Sequence, residues 1–163
     1  MTDKATQTLA AIGCSGPVSK IFVEGFLDRG VKVKLLARDA ERAARLYPRA
    51  EIVSGSLMNE ADVARVCEGV DAAFAVTPMG LRDNPKLEIE AGKKIAEGAK
   101  KARLPHLIYT SVLGADALQG VGILDAKYYI ERTFRDAGLQ RTILRCGSYM
   151  EAVFDPRLNL LNK

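Results

Sequence analysis

The chain has 163 residues, of which 48% are hydrophobic and 27% charged, a composition typical of one folded domain with an apolar core. Its 24 basic and 20 acidic residues are interspersed and give a net charge of +4, which argues against a nucleic-acid-binding surface. No apolar run approaches membrane-spanning length, and the first residues, MTDKATQT, lack a signal peptide's apolar core. We therefore expect a cytoplasmic domain that binds neither nucleic acid nor membrane.

The three cysteines are odd in number, widely spaced and outside any metal-ligand pattern, so we expect reduced thiols and no metal site. Cys14 stands beside a predicted helix start, where a thiol can have a lowered pKa. It is either an activated thiol or a small residue that fills a turn, and we favour the second interpretation.

The stretch from residue 9 to residue 38 predicts a strand, a tight turn, a helix and a second strand. An apolar run at residues 9–12 precedes the turn GCSG at residues 13–16, and a second strand is predicted at residues 31–37. Apolar residues of the intervening helix lie on or near one predicted face: Val18, Ile21, Phe22 and Phe26. Such a βαβ unit is the half-module from which nucleotide-binding sheets are built.

The chemistry of this turn predicts an anion site. Gly13 permits a sharp reversal, Gly16 leaves room for a phosphate, and the helix start offers unpaired N–H groups with a positive dipole end. Two features depart from the dinucleotide fingerprint: Ser19 occupies its third small position, and Pro17 has no N–H to donate. We expect binding through the amides of Val18 and Ser19; an ordinary strand-to-helix turn is the alternative.

Arg38 follows the second predicted strand. At this point of dinucleotide folds an acid binds the adenine ribose 2′-hydroxyl, whereas an arginine accommodates a 2′-phosphate. Asp39 is expected to cap a helix running from Glu41 to Leu46. Arg38 therefore favours NADP(H) over NAD(H), and a solvated loop charge is the alternative interpretation.

The remaining pattern continues to alternate strands with helices. Further strands are predicted at residues 51–54, 71–76, 106–110 and 141–145, and helices from about 59 or 60 to 69, 86 to 102 and 123 to 137. Six strands in this arrangement predict an α/β, three-layer, doubly wound Rossmann fold with a parallel sheet ordered 3-2-1-4-5-6. Ligands occupy the crevice outside the carboxyl ends of such strands, so His106, at the start of a strand, is not expected to be catalytic.

Several segments together resemble one protein family. They are the first strand with GCSG, LARD at residues 36–39, LPHLIYTSV from Leu104, DAKYYIE around Lys127, and TILRCGSYME from Thr142. The chain is similar over about its whole length to the NmrA-like family, atypical members of the short-chain dehydrogenase superfamily related to isoflavone reductase-like enzymes and NAD(P)H quinone reductases.

The resemblance implies a set of cofactor-binding residues. Gly13, Ser15, Gly16 and Val18 would cradle the pyrophosphate, Arg38 would contact the 2′-phosphate, and Thr77 and Pro78 would flank adenosine. Of the two residues with implied catalytic roles, Ser111 would lie near the nicotinamide and Lys127 would bind the nicotinamide ribose. A solvated helix lysine is the alternative for Lys127.

The chain departs from the superfamily pattern at several positions. Ile123 stands where a tyrosine would precede Lys127 by four residues, and Tyr128 and Tyr129 follow the lysine. Cys146 occupies a frequent proline position, and Ser56 replaces a common aspartate of the adenine pocket. The standard proton-transfer apparatus is therefore expected to be incomplete.

The end of the chain also departs from the pattern, because related proteins continue into a smaller substrate domain. We expect residues 1–147 to form the NAD(P)-binding domain and residues 148–163 to be a tail, a remnant of the substrate domain. Either the chain is a fragment, or a second copy in a homo-oligomer covers the apolar surface around the sixth strand.

Three functions are compatible with these residues. The first is NADPH-dependent reduction of a small carbonyl or quinone-like substrate, the activity that the resemblance implies. The second is a non-catalytic NADP(H) redox sensor or regulatory protein, and the third is a scaffold that has lost binding. The glycine turn and Arg38 are present, whereas the tyrosine expected four residues before Lys127 is absent. We therefore favour cofactor binding over catalysis.

Overall fold

The computed structural model describes residues 7–14, 17–77 and 84–147. Its six strands are β1 (Thr8–Ile12), β2 (Lys32–Ala37), β3 (Glu51–Ser54), β4 (Ala72–Ala75), β5 (Leu107–Val112) and β6 (Arg141–Cys146). Its five helices are α1 (Pro17–Asp28), α2 (Ala40–Leu46), α3 (Glu60–Cys67), α4 (Pro85–Lys101) and α5 (Gly122–Asp136). Within these ranges, no helix has the length and apolar character needed to cross a membrane.

The strands form one parallel sheet in the order β3-β2-β1-β4-β5-β6, which confirms the predicted doubly wound fold. In its register, Ile12 of β1 is level with Ala75 of β4, and Ala37 of β2 is level with Ser54 of β3. Because all strands run in one direction, their carboxyl ends lie along a single edge. That edge is where the candidate site residues lie.

Alternating residues of the strands face two different helix layers. Leu9 and Ala11 of β1 pack with Val23 of α1, whereas Ala10 and Ile12 belong to the opposite core. The first core also includes Ala43 of α2, and the second includes Val63 of α3, Ile95 of α4 and Ile130 of α5. The sheet is therefore covered by α1 and α2 on one face and by α3, α4 and α5 on the other.

The apolar residues of α1 do not all face the core. Ile21 is 71% exposed, whereas Val23 is fully buried. Phe22 and Phe26 pack against Phe74, with ring centroids 4.8 and 5.9 Å apart. Successive helix positions differ by about 100°, so the face that carries residues 22, 23 and 26 turns residue 21 towards water.

Two glycines of α4 allow its neighbouring helices to approach closely. A Cβ atom at Gly98 would come within 2.6 Å of the Val63 side chain of α3. A Cβ atom at Gly92 would come within 2.6 Å of the Ile130 side chain of α5. The close α4–α5 packing brings the first turn of α4 near the inner face of α5, which positions the buried polar groups described below.

Candidate functional site

The carboxyl edge of the sheet brings together residues that are far apart in the sequence. Gly13 follows β1, Arg38 follows β2, Thr77 follows β4 and Ser111 lies near the end of β5. Neighbouring strands of a sheet are about 4.8 Å apart, so these residues line one continuous edge. Ser15, Gly16 and Pro78, which were also assigned to the cofactor, lie outside the described residues.

Gly13 has the geometry of a turn that requires glycine. Its φ is +73°, and a Cβ atom there would collide with the carbonyl oxygen of Val76 at the end of β4. The next residue, Cys14, is buried, and burial raises the pKa of its thiol to about 12. Cys14 therefore fills the turn as expected and is not an activated thiol.

The first turn of α1 carries no acidic residue, in contrast to the first turns of the other described helices. Those helices place acids at their starts: Glu41 in α2, Glu60 and Asp62 in α3, Glu88 in α4 and Asp125 in α5. An acid there would partly neutralise the positive end of the helix dipole. The positive end of the α1 dipole lies at the helix start that includes Val18. No acid of that first turn neutralises it, so it can attract a bound anion.

Arg38 is exposed immediately after β2, at the same edge as the glycine turn. The carboxylate of its neighbour Asp39 caps α2. It accepts a hydrogen bond from the backbone N–H of Arg42 at 2.9 Å. The expected capping role of Asp39 is thus confirmed. A guanidinium at this point suits a phosphate better than a ribose hydroxyl.

Lys127 is not a solvated helix lysine, because it is only 6% exposed. Its Nζ lies 2.6 Å from Thr77 Oγ1, 2.9 Å from Glu88 Oε1 and 3.1 Å from the Tyr109 hydroxyl. Thr77 Oγ1 also donates to Glu88 Oε1 at 2.7 Å and lies 2.8 Å from the Tyr109 hydroxyl. We call these four side chains the lysine network; it joins the end of β4 to β5, α4 and α5.

A count of protons fixes the direction of each bond in the lysine network. Because Thr77 donates its only proton to Glu88, the Tyr109 hydroxyl donates to Thr77. The ammonium of Lys127 then donates its three protons to Thr77, Tyr109 and Glu88. Every proton on these four side chains has an acceptor, as a buried polar cluster requires.

Charge and burial oppose each other at Lys127. Burial alone would lower its pKa, but Tyr109 and Glu88 outweigh that effect, so the pKa of Lys127 is raised above its usual value. Burial raises the pKa of Tyr109, against the lowering effects of Lys127 and Thr77. At neutral pH the network therefore holds a charged ammonium and a neutral phenol.

Ser111 belongs to a second cluster at the same edge. Its hydroxyl donates to Glu131 Oε1 at 2.6 Å, and Glu131 is paired with Arg145 through two bonds of 3.1 and 2.7 Å. Since the proton of Ser111 is committed to Glu131, its buried oxygen can act towards a further group only as an acceptor. The fifth strand was predicted at residues 106–110, ending at Ser111; Ser111 lies within β5.

Four residues of these clusters were not identified from the sequence: Glu88, Tyr109, Glu131 and Arg145. Glu88 precedes the buried residues Ala91 and Ile95 by three and seven positions, the spacing of one helix face. Lys127 precedes Ile130 and Phe134 by the same two intervals. An acid and a base on the apolar faces of neighbouring helices are a signal for a buried ion pair.

The tyrosines after Lys127 do not replace the absent one. Tyr129 is 45% exposed, and the Tyr128 hydroxyl accepts a hydrogen bond from Arg132 at 3.0 Å. The phenol beside Lys127 is that of Tyr109, which comes from a strand and is fully buried. Tyr109 and Lys127 thus form a tyrosine–lysine pair that faces the core.

The family model of the NmrA-like family matches residues 5–163, and the chain belongs to this family. Among curated proteins, it is 22% identical over 147 residues to the photosystem II assembly factor Ycf39 of Cyanophora paradoxa, covering 87% of this chain and 46% of that protein. The chain spans about half the length of the curated relatives that it matches.

Solved structures share the fold. An NADPH-dependent quinone oxidoreductase of Escherichia coli in complex with NADPH matches with a TM-score of 0.78 and 21% identity, over 90% of this chain and 51% of that chain. NmrA, described as a negative transcriptional regulator, matches with a TM-score of 0.73 and 24% identity, over 88% of this chain and 46% of that chain. The fold that the chain shares with these structures is the doubly wound Rossmann fold.

Proposed function

We propose that this chain binds NADP(H), with the diphosphate at the glycine turn and the start of α1 and the 2′-phosphate at Arg38. The observation that carries the proposal is the exposed Arg38 guanidinium on the same sheet edge as an acid-free helix start, while the Asp39 carboxylate caps α2. The NADPH in the related quinone oxidoreductase supports the same ligand class. Gly13, Ser15, Gly16 and Val18 are the proposed diphosphate residues.

The rest of the dinucleotide would lie along β4 and β5. Thr77 and Pro78 are proposed to flank adenosine, Ser111 to approach the nicotinamide and Lys127 to bind the nicotinamide ribose. NADPH, when bound, would supply a hydride. In this chain, Ser111 offers an acceptor oxygen and Lys127 offers a fixed positive charge.

Two activities remain compatible with such a site: reduction of a small carbonyl or quinone-like substrate, and NADP(H) sensing or regulation without turnover. One observation favours the second for this chain. Lys127 has a raised pKa and donates all three protons within the lysine network, so it is a poor proton donor at neutral pH. The family fold occurs both in reductases and in the regulator NmrA.

A titration of the full chain with NADPH and NADH tests the proposal. We expect saturable enhancement of NADPH fluorescence and thermal stabilisation, with NADH binding more weakly. Equal affinity for the two dinucleotides would contradict the role of Arg38, and absence of saturation by either would contradict binding itself.

A second measurement separates sensing from catalysis. The chain is incubated with NADPH and a panel of quinones and small carbonyl compounds, and absorbance at the nicotinamide band is followed. Binding without oxidation of NADPH is expected for a sensor. Steady oxidation above the rate without protein would instead identify a reductase.

A further inference from the structure

We propose that Glu88 is a positioning residue for the nicotinamide-ribose end of the site: its carboxylate fixes the Lys127 ammonium at the end of β4, with one contact exchangeable for a ribose hydroxyl. This inference rests on the proposed function, because it assigns Lys127 to the dinucleotide. It adds a residue to which the family resemblance assigned no role.

The first argument is the geometry of the carboxylate. Glu88 Oε1 accepts from both Thr77 Oγ1 at 2.7 Å and Lys127 Nζ at 2.9 Å, so one oxygen orients two side chains of the site. The Glu88 side chain is only 4% exposed. It therefore acts on the ribose end through Lys127, which it holds together with Thr77, and does not contact the ligand itself.

The second argument concerns which contact of Lys127 can be exchanged. The bond from Lys127 to the Tyr109 hydroxyl is the longest of the three, at 3.1 Å. If a ribose hydroxyl takes this proton, Tyr109 still donates to Thr77 and keeps one hydrogen bond. Releasing Glu88 instead would leave a buried carboxylate without its cation, which is far less favourable.

The third argument is electrostatic. Among the described residues, the titratable groups that face Lys127 are Glu88 of α4 and Tyr109 of β5; Thr77, after β4, does not titrate. Tyr109 is neutral, so Glu88 supplies the only formal negative charge in the lysine network. A buried ammonium that loses its counter-ion gives up its proton at lower pH. Glu88 thus keeps Lys127 charged over the pH range in which the dinucleotide would bind.

The test compares NADPH affinity as a function of pH for the wild type, Glu88→Gln and Glu97→Gln. Glu97 is the matched control, because it also lies on α4 and pairs with a lysine, Lys94, but at the surface. Between about pH 7 and pH 10, we expect a flat affinity for the wild type and for Glu97→Gln. Glu88→Gln should weaken NADPH binding at least about tenfold, with a further loss as the pH rises.

A double variant keeps the test decisive if Glu88→Gln alone is poorly folded. Lys127→Met and Glu88→Gln/Lys127→Met are compared, since the double variant removes both charges of the pair. If Glu88 acts through Lys127, the double variant binds NADPH no more weakly than Lys127→Met. An additional loss in the double variant, or a wild-type affinity and pH profile in Glu88→Gln, would overturn the proposal.

A ligand-free measurement separates this inference from the proposed function. In ¹⁵N-lysine-labelled protein, NMR titration reports the charge of Lys127 without any dinucleotide. We expect a lower pKa for Lys127 in Glu88→Gln than in the wild type; an unchanged pKa would contradict the role of Glu88. If that shift is seen but the wild type does not bind NADPH, the proposed function fails and the electrostatic role of Glu88 stands.

Discussion

The two ends of the carboxyl edge hold their positive charges in opposite ways. At the β1–β2 end, Arg38 is exposed and the start of α1 carries no acid. At the β4–β5 end, Lys127 is buried and bonded to three partners. Charge at the first end is available to a ligand, whereas charge at the second end is already part of the folded core.

This contrast predicts which properties each end controls. An exposed charged side chain contributes little to the free energy of folding, but all of its hydrogen-bond donors are available to a phosphate. A buried ion pair contributes little net stability as a pair, yet removal of one partner is strongly destabilising because the other charge is left unpaired. Substitutions at the two ends should therefore separate binding from stability.

The largest expected effect is on stability at the lysine network. Lys127→Met leaves Glu88 buried without its cation and should lower the free energy of unfolding by about 3 to 5 kcal/mol. Glu88→Gln/Lys127→Met removes both charges and should recover most of that loss. Urea unfolding followed by circular dichroism measures both; a double variant as unstable as the single one would contradict the role of the unpaired charge.

The next effect is at the glycine turn, where two glycines with the same φ can be compared. Gly13 and Gly138 both have φ of +73°, but only Gly13 lacks space for a Cβ atom. Gly138→Ala should cost about 1 kcal/mol through backbone strain alone. Gly13→Ala should cost about 2 to 4 kcal/mol, because the collision with Val76 is added, and should weaken NADPH binding.

Equal unfolding midpoints for Gly13→Ala and Gly138→Ala would contradict this explanation. They would mean that the close packing of the turn against β4 is not the reason why position 13 needs glycine. Gly138→Ala is also the control for NADPH binding, since Gly138 lies beyond the end of α5 and away from the carboxyl edge.

Arg38→Ala should change binding and leave stability unaltered. We expect NADPH to bind about tenfold more weakly, because a charge-assisted contact to the 2′-phosphate is lost, while NADH affinity stays the same. Arg45→Ala is the matched control: it removes an exposed arginine of α2 and the same net charge. A similar loss in both variants would mean that overall charge, and no specific contact, determines the preference.

The smallest effect concerns Asp39, which tests whether the acid beside Arg38 takes part in binding. Asp39→Ala removes the cap of α2 and should lower the free energy of unfolding by about 1 kcal/mol. The ratio of NADPH to NADH affinity should not change. A selective loss of NADH binding would show instead that the Asp39 carboxylate contacts the ribose.

Prediction from the sequence was most successful where a local pattern has a single structural outcome. The parallel sheet order, the third strand at residues 51–54 and the cap at Asp39 are confirmed. Ile21 was grouped on or near one helix face with Phe22 and Phe26, but that grouping does not say which edge of the face meets the sheet, and Ile21 is exposed. The fifth strand was predicted to end at Ser111, whereas β5 continues to Val112, since a polar residue such as Ser111 can continue a buried strand when a partner accepts its proton.

The sequence alone determined the alternation of strands and helices, the glycine turn and the position of an arginine after β2, because these depend on spacing over a few residues. Only the tertiary structure decided the state of Lys127. Its partners Thr77, Glu88 and Tyr109 are 50, 39 and 18 positions away along the chain and meet only when α4 packs against α5 over the end of β4. A buried charge is defined by what surrounds it, and local spacing does not encode those surroundings.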